Sequence, residues 1–188
     1  MALKTDGSFY ITHMYDFDSS QWAIAFASLI KNPTGEVYFW NVDEVFSSVT
    51  NTTGSFPNGI DLDVNEENLY INYWFSGKTI KFDLRSAQTL AVHTGGRADN
   101  LTLSNGSLWA AKHDMSLTDF FEKCPPETTN CFLPFSIHKF DSDLNELKTW
   151  SFESSTFGFA TVATPVGENV WIGTAHGDRI ASFKISPQ

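Results

Sequence analysis

Polar turns followed by short alternating runs that carry an aromatic recur along this chain. Asp6-Gly7-Ser8-Phe9-Tyr10, Glu67-Asn68-Leu69-Tyr70, Asn105-Gly106-Ser107-Leu108-Trp109 and Glu168-Asn169-Val170-Trp171 are four versions of one pattern. Each is followed by a second run ending in an aromatic: Val37-Tyr38-Phe39-Trp40, Thr79-Ile80-Lys81-Phe82, Ile137-His138-Lys139-Phe140 and Ile180-Ala181-Ser182-Phe183. Apolar residues at every second place, bounded by Asn, Gly and Ser, predict half-buried strands joined by turns. The stretch from Arg97 to His113 is the clearest case. Leu101, Leu103, Leu108 and Ala110 alternate around Asn105-Gly106-Ser107, which predicts an antiparallel hairpin. Asp99 and Asn100 then lie near the start of its first strand and His113 just past the end of its second, at one end of the hairpin.

The paired aromatics stand much further apart in the first and third copies (Tyr10 to Trp40, Trp109 to Phe140) than in the second and fourth (Tyr70 to Phe82, Trp171 to Phe183). Insertions therefore recur in one connection of the unit. Even-sized strands with repetition of this kind predict an all-β fold, a β-propeller in which each repeat is one blade. A β-sandwich leaves the placement of the insertions unexplained. About four blade repeats make an incomplete ring, read as a single partial propeller domain over residues 1–188. The first insertion, Phe17 to Pro33, predicts a helix near residues 19–30: Trp22, Ala25, Phe26, Leu29 and Ile30 share one stripe, Asp18 with Gln21 resembles a capping box, and Asn32-Pro33 stops it. That helix either packs on the rim of the propeller or forms a lid or lipid-touching surface over its mouth. The second insertion, Asp114 to Phe135, predicts a short helix and a closed loop.

The chain has 188 residues, 41% hydrophobic and 15% aromatic, enough for a sizeable core. Lys and Arg number 12 against 22 Asp and Glu, and no basic cluster occurs, so the electrostatic footprint of a nucleic-acid binder is missing. The net charge of -10 suits a cation better. No run reaches the length of a membrane span, and the first residues lack the apolar core of a secretory signal. Cys124 and Cys131 flank a polar, turn-rich loop: either a small disulfide, which implies an oxidising compartment and an extracellular or secretory location, or two reduced surface thiols. Asn51, Asn100 and Asn105 each begin a glycosylation-type triplet.

Motifs of enzymes readable from sequence, such as a phosphate loop, His-Glu-x-x-His or Gly-x-Ser-x-Gly, are absent. Asp63-Val64-Asn65-Glu66-Glu67-Asn68 has the look of a calcium loop but lacks its central glycine and final glutamate. What remains is Pro57-Asn58-Gly59-Ile60 together with Arg97-Ala98-Asp99-Asn100. Both put side-chain oxygens at the entrance of an innermost strand, in repeats one blade apart. Such oxygens either ligate a hard cation or tie down turns.

Phe9-Tyr10-Ile11-Thr12, the helix after it, Gly35-Glu36-Val37-Tyr38, Pro57-Asn58-Gly59-Ile60, Asp99-Asn100-Leu101, Leu108-Trp109 and Trp171-Ile172-Gly173-Thr174 together resemble the C-terminal portion of the serum paraoxonase/arylesterase family. That family belongs with gluconolactonases and strictosidine synthases among six-bladed propellers. The resemblance implies a calcium-dependent hydrolase of aryl esters and lactones, with Ca2+ as a Lewis acid on the carbonyl or phosphoryl oxygen. It implies Asn58, Asp99 and Asn100 as calcium ligands and His113 as a residue of the substrate pocket. Two departures stand out. Where the family has Thr-Asn-Asp this chain has Thr12-His13-Met14, so His13 replaces an amide ligand and could invite a softer metal. The family's remaining acidic ligand and its histidine pair have no counterpart, and the portion bearing them would precede Met1. The chain is then a fragment, or it completes its ring as an oligomer, or it is a non-catalytic remnant that binds a partner at the same mouth. The substrate implied is a small hydrophobic ester or lactone.

Overall fold

The computed structural model describes residues 1–185 apart from Phe17, Ser19, Glu44 and Pro126, and the side chains of Gln21, Trp22, Ala25, Ser28 and Phe121 also lie outside the described set. The chain forms two compact units, Met1–Ala98 and Asp99–Gln188, each built from two antiparallel sheets.

In the first unit, β1 (Ala2–Leu3), β2 (Phe9–His13), β3 (Glu36–Trp40) and β4 (Ser47–Ser48) make one sheet in chain order. A second contains β5 (Pro57–Leu62), β6 (Asn68–Tyr73), β7 (Lys78–Asp83) and β8 (Gln88–Thr94). In the second unit, β9 (Arg97–Ser104), β10 (Ser107–His113), β11 (Phe135–Phe140) and β12 (Glu146–Phe152) make a third sheet, and β13 (Ala160–Val166), β14 (Asn169–Thr174) and β15 (Ala181–Lys184) a fourth. Four consecutive meanders are four blades, and the fold is a partial β-propeller.

The repeat read from the sequence is the pairing of the second strand of each blade with the third. Its register is the same everywhere: Phe9 faces Trp40, Leu69 faces Phe82, Leu108 faces Phe140 and Val170 faces Phe183. The partner of each closing aromatic is thus the residue before the first aromatic. Because side chains alternate with period two, this offset sends the two aromatics of a repeat to opposite faces of the blade. Ile60, Leu62, Leu69, Ile71, Ile80 and Phe82 share one face and pack with Ala2 and Val37 as the core of the first unit. Trp109, Ala111, Phe135 and Ile137 pack with Ala160, Ala163, Val170 and Ile172 in the second.

Turn chemistry fixes the hairpins. Asn105 (φ 49°) and Gly106 (φ 72°) form the two-residue loop expected between β9 and β10, both residues being in the left-handed region that such loops need. The carboxylate of Asp63 accepts bonds from the backbone N–H of Glu67 (2.8 Å) and Asn68 (3.0 Å) and from Asn68 Nδ2 (2.8 Å). Asp141 does the same for Asp143 and Asn145. The stretch with the look of a calcium loop is therefore a side-chain-closed β-turn between β5 and β6.

Both large insertions fall between the second and third strands of their blades, and each carries a helix. Helix α1 spans Gln21–Ile30, slightly shorter than expected. Its N-cap is Ser20, whose Oγ accepts from Ala23 N at 3.2 Å, in place of the capping box expected at Asp18 and Gln21. Ser20 has the extended backbone (φ −67°, ψ 153°) that a cap residue needs. Phe26, Leu29 and Ile30 are 62%, 74% and 55% exposed, so this part of the apolar stripe faces solvent. Trp22 and Ala25 of the same stripe lie outside the described side chains. Helix α2 (Leu117–Lys123) carries a full capping box between Ser116 and Asp119. It is followed by a disulfide between Cys124 and Cys131, whose closure of a loop this short stabilises by roughly 2–3 kcal/mol in the chain-entropy model. Of the two states open to the cysteine pair, the structure has the bridged one, consistent with an oxidising compartment.

Candidate functional site

The first strands of three sheets are approached through a residue with positive φ: Phe56 (58°) before β5, Gly96 (70°) before β9 and Phe159 (49°) before β13. A phenylalanine in that region is strained by about 1–3 kcal/mol and persists only where its surroundings hold it. Phe56 N–H donates to Thr34 Oγ1 (2.8 Å), and its carbonyl accepts from Trp74 N (2.9 Å). Phe159 N–H donates to the Leu133 carbonyl (2.9 Å), and Thr174 Oγ1 donates to the carbonyls of Gly158 and Phe159. A Cβ at Gly158 would sit 2.5 Å from the Phe132 backbone, so only glycine fits there. Pairing register also slips just inside β5, between Pro57 and Ile60, and just inside β13, between Ala160 and Val162. Such irregularities re-aim side chains at a strand's end. Sequence reading found the polar residues of these entrances but missed Phe56 and Phe159.

In the first unit, Asn58 lies in the irregular part of β5 and is half-buried. Thr12 Oγ1 donates to its backbone carbonyl at 2.6 Å, which joins the end of β2 to the start of β5. His13, the next residue of β2, pairs with Glu36 and sets its ring edge-on to Tyr38 at 5.8 Å. Tyr15, Phe56, Trp74 and Phe75 form an aromatic cluster beside this entrance, with Phe56 4.5 Å from Phe75 and 5.4 Å from Tyr15. The Arg97 guanidinium lies over Trp74 at 5.7 Å, a cation–π arrangement. Trp74 and Phe75 are themselves buried.

In the second unit, the hairpin brings Asp99, Asn100 and His113 to one end, as its pattern predicts. His113 Nε2 is 3.9 Å from Asp99 Oδ2, and the two side chains are 1% and 15% exposed. Asn100 is exposed, and its Nδ2 donates to the Thr161 carbonyl at 3.0 Å, which leaves Oδ1 as the acceptor. The His113 ring stacks on Phe159 at 4.0 Å and 16°, and Phe159 stacks in turn on Phe120 of α2 at 5.2 Å. The strained phenylalanine is therefore the face against which the histidine is held.

These carboxylate and amide oxygens are the hard donors that calcium takes, while the Asn100 amide turns its nitrogen toward Asp99, with Nδ2 3.4 Å from Asp99 Oδ1. Among the described residues no cluster of three or more His, Cys, Asp and Glu side chains is placed to hold a metal ion. Of the residues expected as ligands, Asp99 carries the one carboxylate, and Asn58 and Asn100 carry neutral amide oxygens.

One polar centre was not legible in the sequence. Lys112 is 2% exposed within β10, and its Nζ lies over the Phe140 ring at 5.1 Å. Beside it, His138 contacts Glu146 through Nδ1 (2.6 Å), Thr149 through Nδ1 (3.0 Å) and Ser136 Oγ through Nε2 (2.8 Å). Ser136 Oγ also lies 3.0 Å from Asp114 Oδ1. Burial lowers the Lys112 pKa to about 8 despite Glu146 and Asp114. Burial first and Lys112 second lower that of His138, against the pull of Glu146. Both groups hold protons less tightly when folded than when unfolded, so protonation opposes folding. Thermal stability should therefore rise with pH up to about 6.5 as His138 becomes neutral, and rise again between about 8 and 10.5 as Lys112 does. Lys112→Met should remove the upper rise while keeping the lower one. Melting curves across this range check both.

No family model matches the chain, and no curated protein matches it in sequence. Solved structures do match in fold. A luciferin-regenerating enzyme superposes with a TM-score of 0.58 at 13% identity, over 93% of this chain and 52% of that one. A gluconolactonase from Xanthomonas campestris gives 0.56 at 15% identity, over 92% and 52%. Hydrazine synthase from Kuenenia stuttgartiensis gives 0.57 at 13%, over 97% and 44%. In fold the chain is thus a four-bladed partial β-propeller that superposes on about half of six-bladed propellers. It spans about half the length of the propellers it matches. The neighbours' names differ widely, as expected of a fold that hosts many chemistries.

Proposed function

We propose that this chain is part of a calcium-dependent hydrolase of aryl esters or lactones of the paraoxonase/arylesterase type. The observation that carries the reading is the meeting of Asp99, Asn100 and His113 at one end of the β9–β10 hairpin, with His113 Nε2 3.9 Å from Asp99 Oδ2. The resemblance of the sequence motifs and the gluconolactonase-like fold support it. Asn58, Asp99 and Asn100 would hold the calcium ion, which as a Lewis acid stabilises charge developing on the scissile carbonyl or phosphoryl oxygen. His113, stacked on Phe159 and with its Nε2 3.9 Å from Asp99 Oδ2, lies at the same hairpin end. The aromatic cluster of Tyr15 and Phe56 suits a small hydrophobic ester or lactone. The exposed Phe26, Leu29 and Ile30 of α1 favour contact with a lipid surface, and the disulfide favours a secretory or extracellular location.

A non-catalytic propeller that binds a ligand through these residues is the second reading. Two observations favour it: His13 stands where the resembled family has a ligating asparagine, and the His113 side chain is only 1% exposed.

With calcium added, the protein should hydrolyse phenyl acetate or a six-membered lactone, and excess chelator should abolish this. Chelator-resistant hydrolysis would falsify the proposal. Stabilisation by calcium without turnover would overturn the enzyme in favour of the binding reading.

A further inference from the structure

The chain's net charge is -10, yet three of its 12 cationic side chains line adjoining cavities of the first unit. The smaller, about 240 Å³, is bounded by Lys31, Phe75, Ser76, Gly77, Gly95 and Arg97 among others. The larger, about 390 Å³, is bounded by Lys31, Thr53, Ser55, Tyr73, Lys78 and Thr89 among others. Lys31 and Ser76 border both, and no acidic side chain is among the described lining of either. Lys31 and Lys78 are exposed and form no ion pair among the described residues.

The walls are set by the backbone. Lys31 is the C-cap of α1 in the left-handed conformation (φ 53°), and its N–H donates to the Ala27 carbonyl. The β6–β7 and β8–β9 loops are locked together by a bond from Gly95 N to the Gly77 carbonyl at 2.9 Å. Gly77 and Gly96 both have positive φ, and a Cβ at Gly77 would meet the Gly96 carbonyl at 3.0 Å. The rim is therefore bare backbone and open to a ligand. Ser55, only 5% exposed, borders the larger cavity.

From this geometry we infer a binding site for a small organic acid bearing two oxyanion groups, with Arg97 on one group, Lys78 on the other and Lys31 between them. Arginine's planar fork suits a carboxylate or phosphate held by two bonds, and lysine serves as a point charge for either. Carboxylate and phosphate share this chemistry. The inference does not depend on the calcium reading.

Titration calorimetry on protein freed of divalent cations and desalted, at low ionic strength, tests the inference. 3-Phosphoglycerate, which carries one group of each kind, should bind more tightly than acetate, and glycerol should give no signal. Succinate and inorganic phosphate show which oxyanion is preferred. Lys31→Asn, which keeps the left-handed cap, combined with Lys78→Gln should weaken binding about tenfold or more, equivalent to about 1.4 kcal/mol, with the ligand-free melting temperature unchanged. Lys78→Gln alone serves if the double variant fails to fold. Absence of heat with every anion at millimolar concentration overturns the inference, as does equal affinity in wild type and the folded charge variants.

Discussion

Asp99→Asn should lower calcium-dependent ester hydrolysis on the order of 10²–10³-fold, the usual loss when an electrostatic element of a reaction centre is removed. Asp99 carries the one formal charge in the proposed donor set, because Asn58 and Asn100 offer neutral amide oxygens. A dication held only by amides and water binds weakly, since charge count among the ligands tunes calcium affinity. The same change also neutralises the partner of His113 Nε2, 3.9 Å away. Asn100→Ala separates these effects: it removes a donor without touching the charge near the histidine, and should cost activity together with calcium-dependent thermal stabilisation. His13→Asn should act in the opposite direction, tightening calcium by restoring the amide that the resembled family carries there. The readouts are kcat/KM for phenyl acetate and the melting-temperature shift on adding calcium. Full activity in a folded Asp99→Asn protein would remove Asp99 from the site, and a His13→Asn protein with no gain in calcium affinity would remove His13.

The parts of this picture legible in the sequence are those written in short-range patterns. The alternation around Asn105-Gly106 gives the hairpin, because a two-residue turn with positive φ at both places leaves few other registers. From that hairpin alone follows the convergence of Asp99 and Asn100 with His113. The insertions between second and third strands are legible for the same reason, as a repeat with two spacings. What depends on long-range pairing was not legible. Phe56 and Phe159 adopt a backbone that their own side chains disfavour, held there by bonds with Thr34, Trp74, Leu133 and Thr174, all distant in sequence. Lys112 and His138 lie on different strands, and nothing in either segment announces that Ser136, opposite Lys112, will bridge His138 to Asp114. Helix α1 is half legible: its stripe announces a helix but leaves open whether it packs on the rim or forms a lid or lipid-touching surface, and Phe26, Leu29 and Ile30 are exposed.

The common register makes the closing aromatic of each repeat the most discriminating place to test the fold. Phe82→Ala and Phe140→Ala should each destabilise by about 3–5 kcal/mol, because both rings are fully buried and the space they leave cannot collapse. Phe82 packs within the apolar core containing Leu69, Ile71 and Ile80. Phe140 has a further role, since the Lys112 ammonium lies over its ring and His138 stacks at 5.9 Å. Truncation there withdraws a cation–π contact from a charge already poorly solvated, so the Lys112 pKa should fall further while the blade loosens. Trp40 and Phe183 occupy the same place in the first and fourth blades but are only half-buried, and their alanine variants should cost less than half as much. Denaturant unfolding of the four variants measures this directly. Equal losses at all four positions would mean that burial does not follow the repeat, whereas a graded series with Phe82 and Phe140 at the top ties each closing aromatic to its blade.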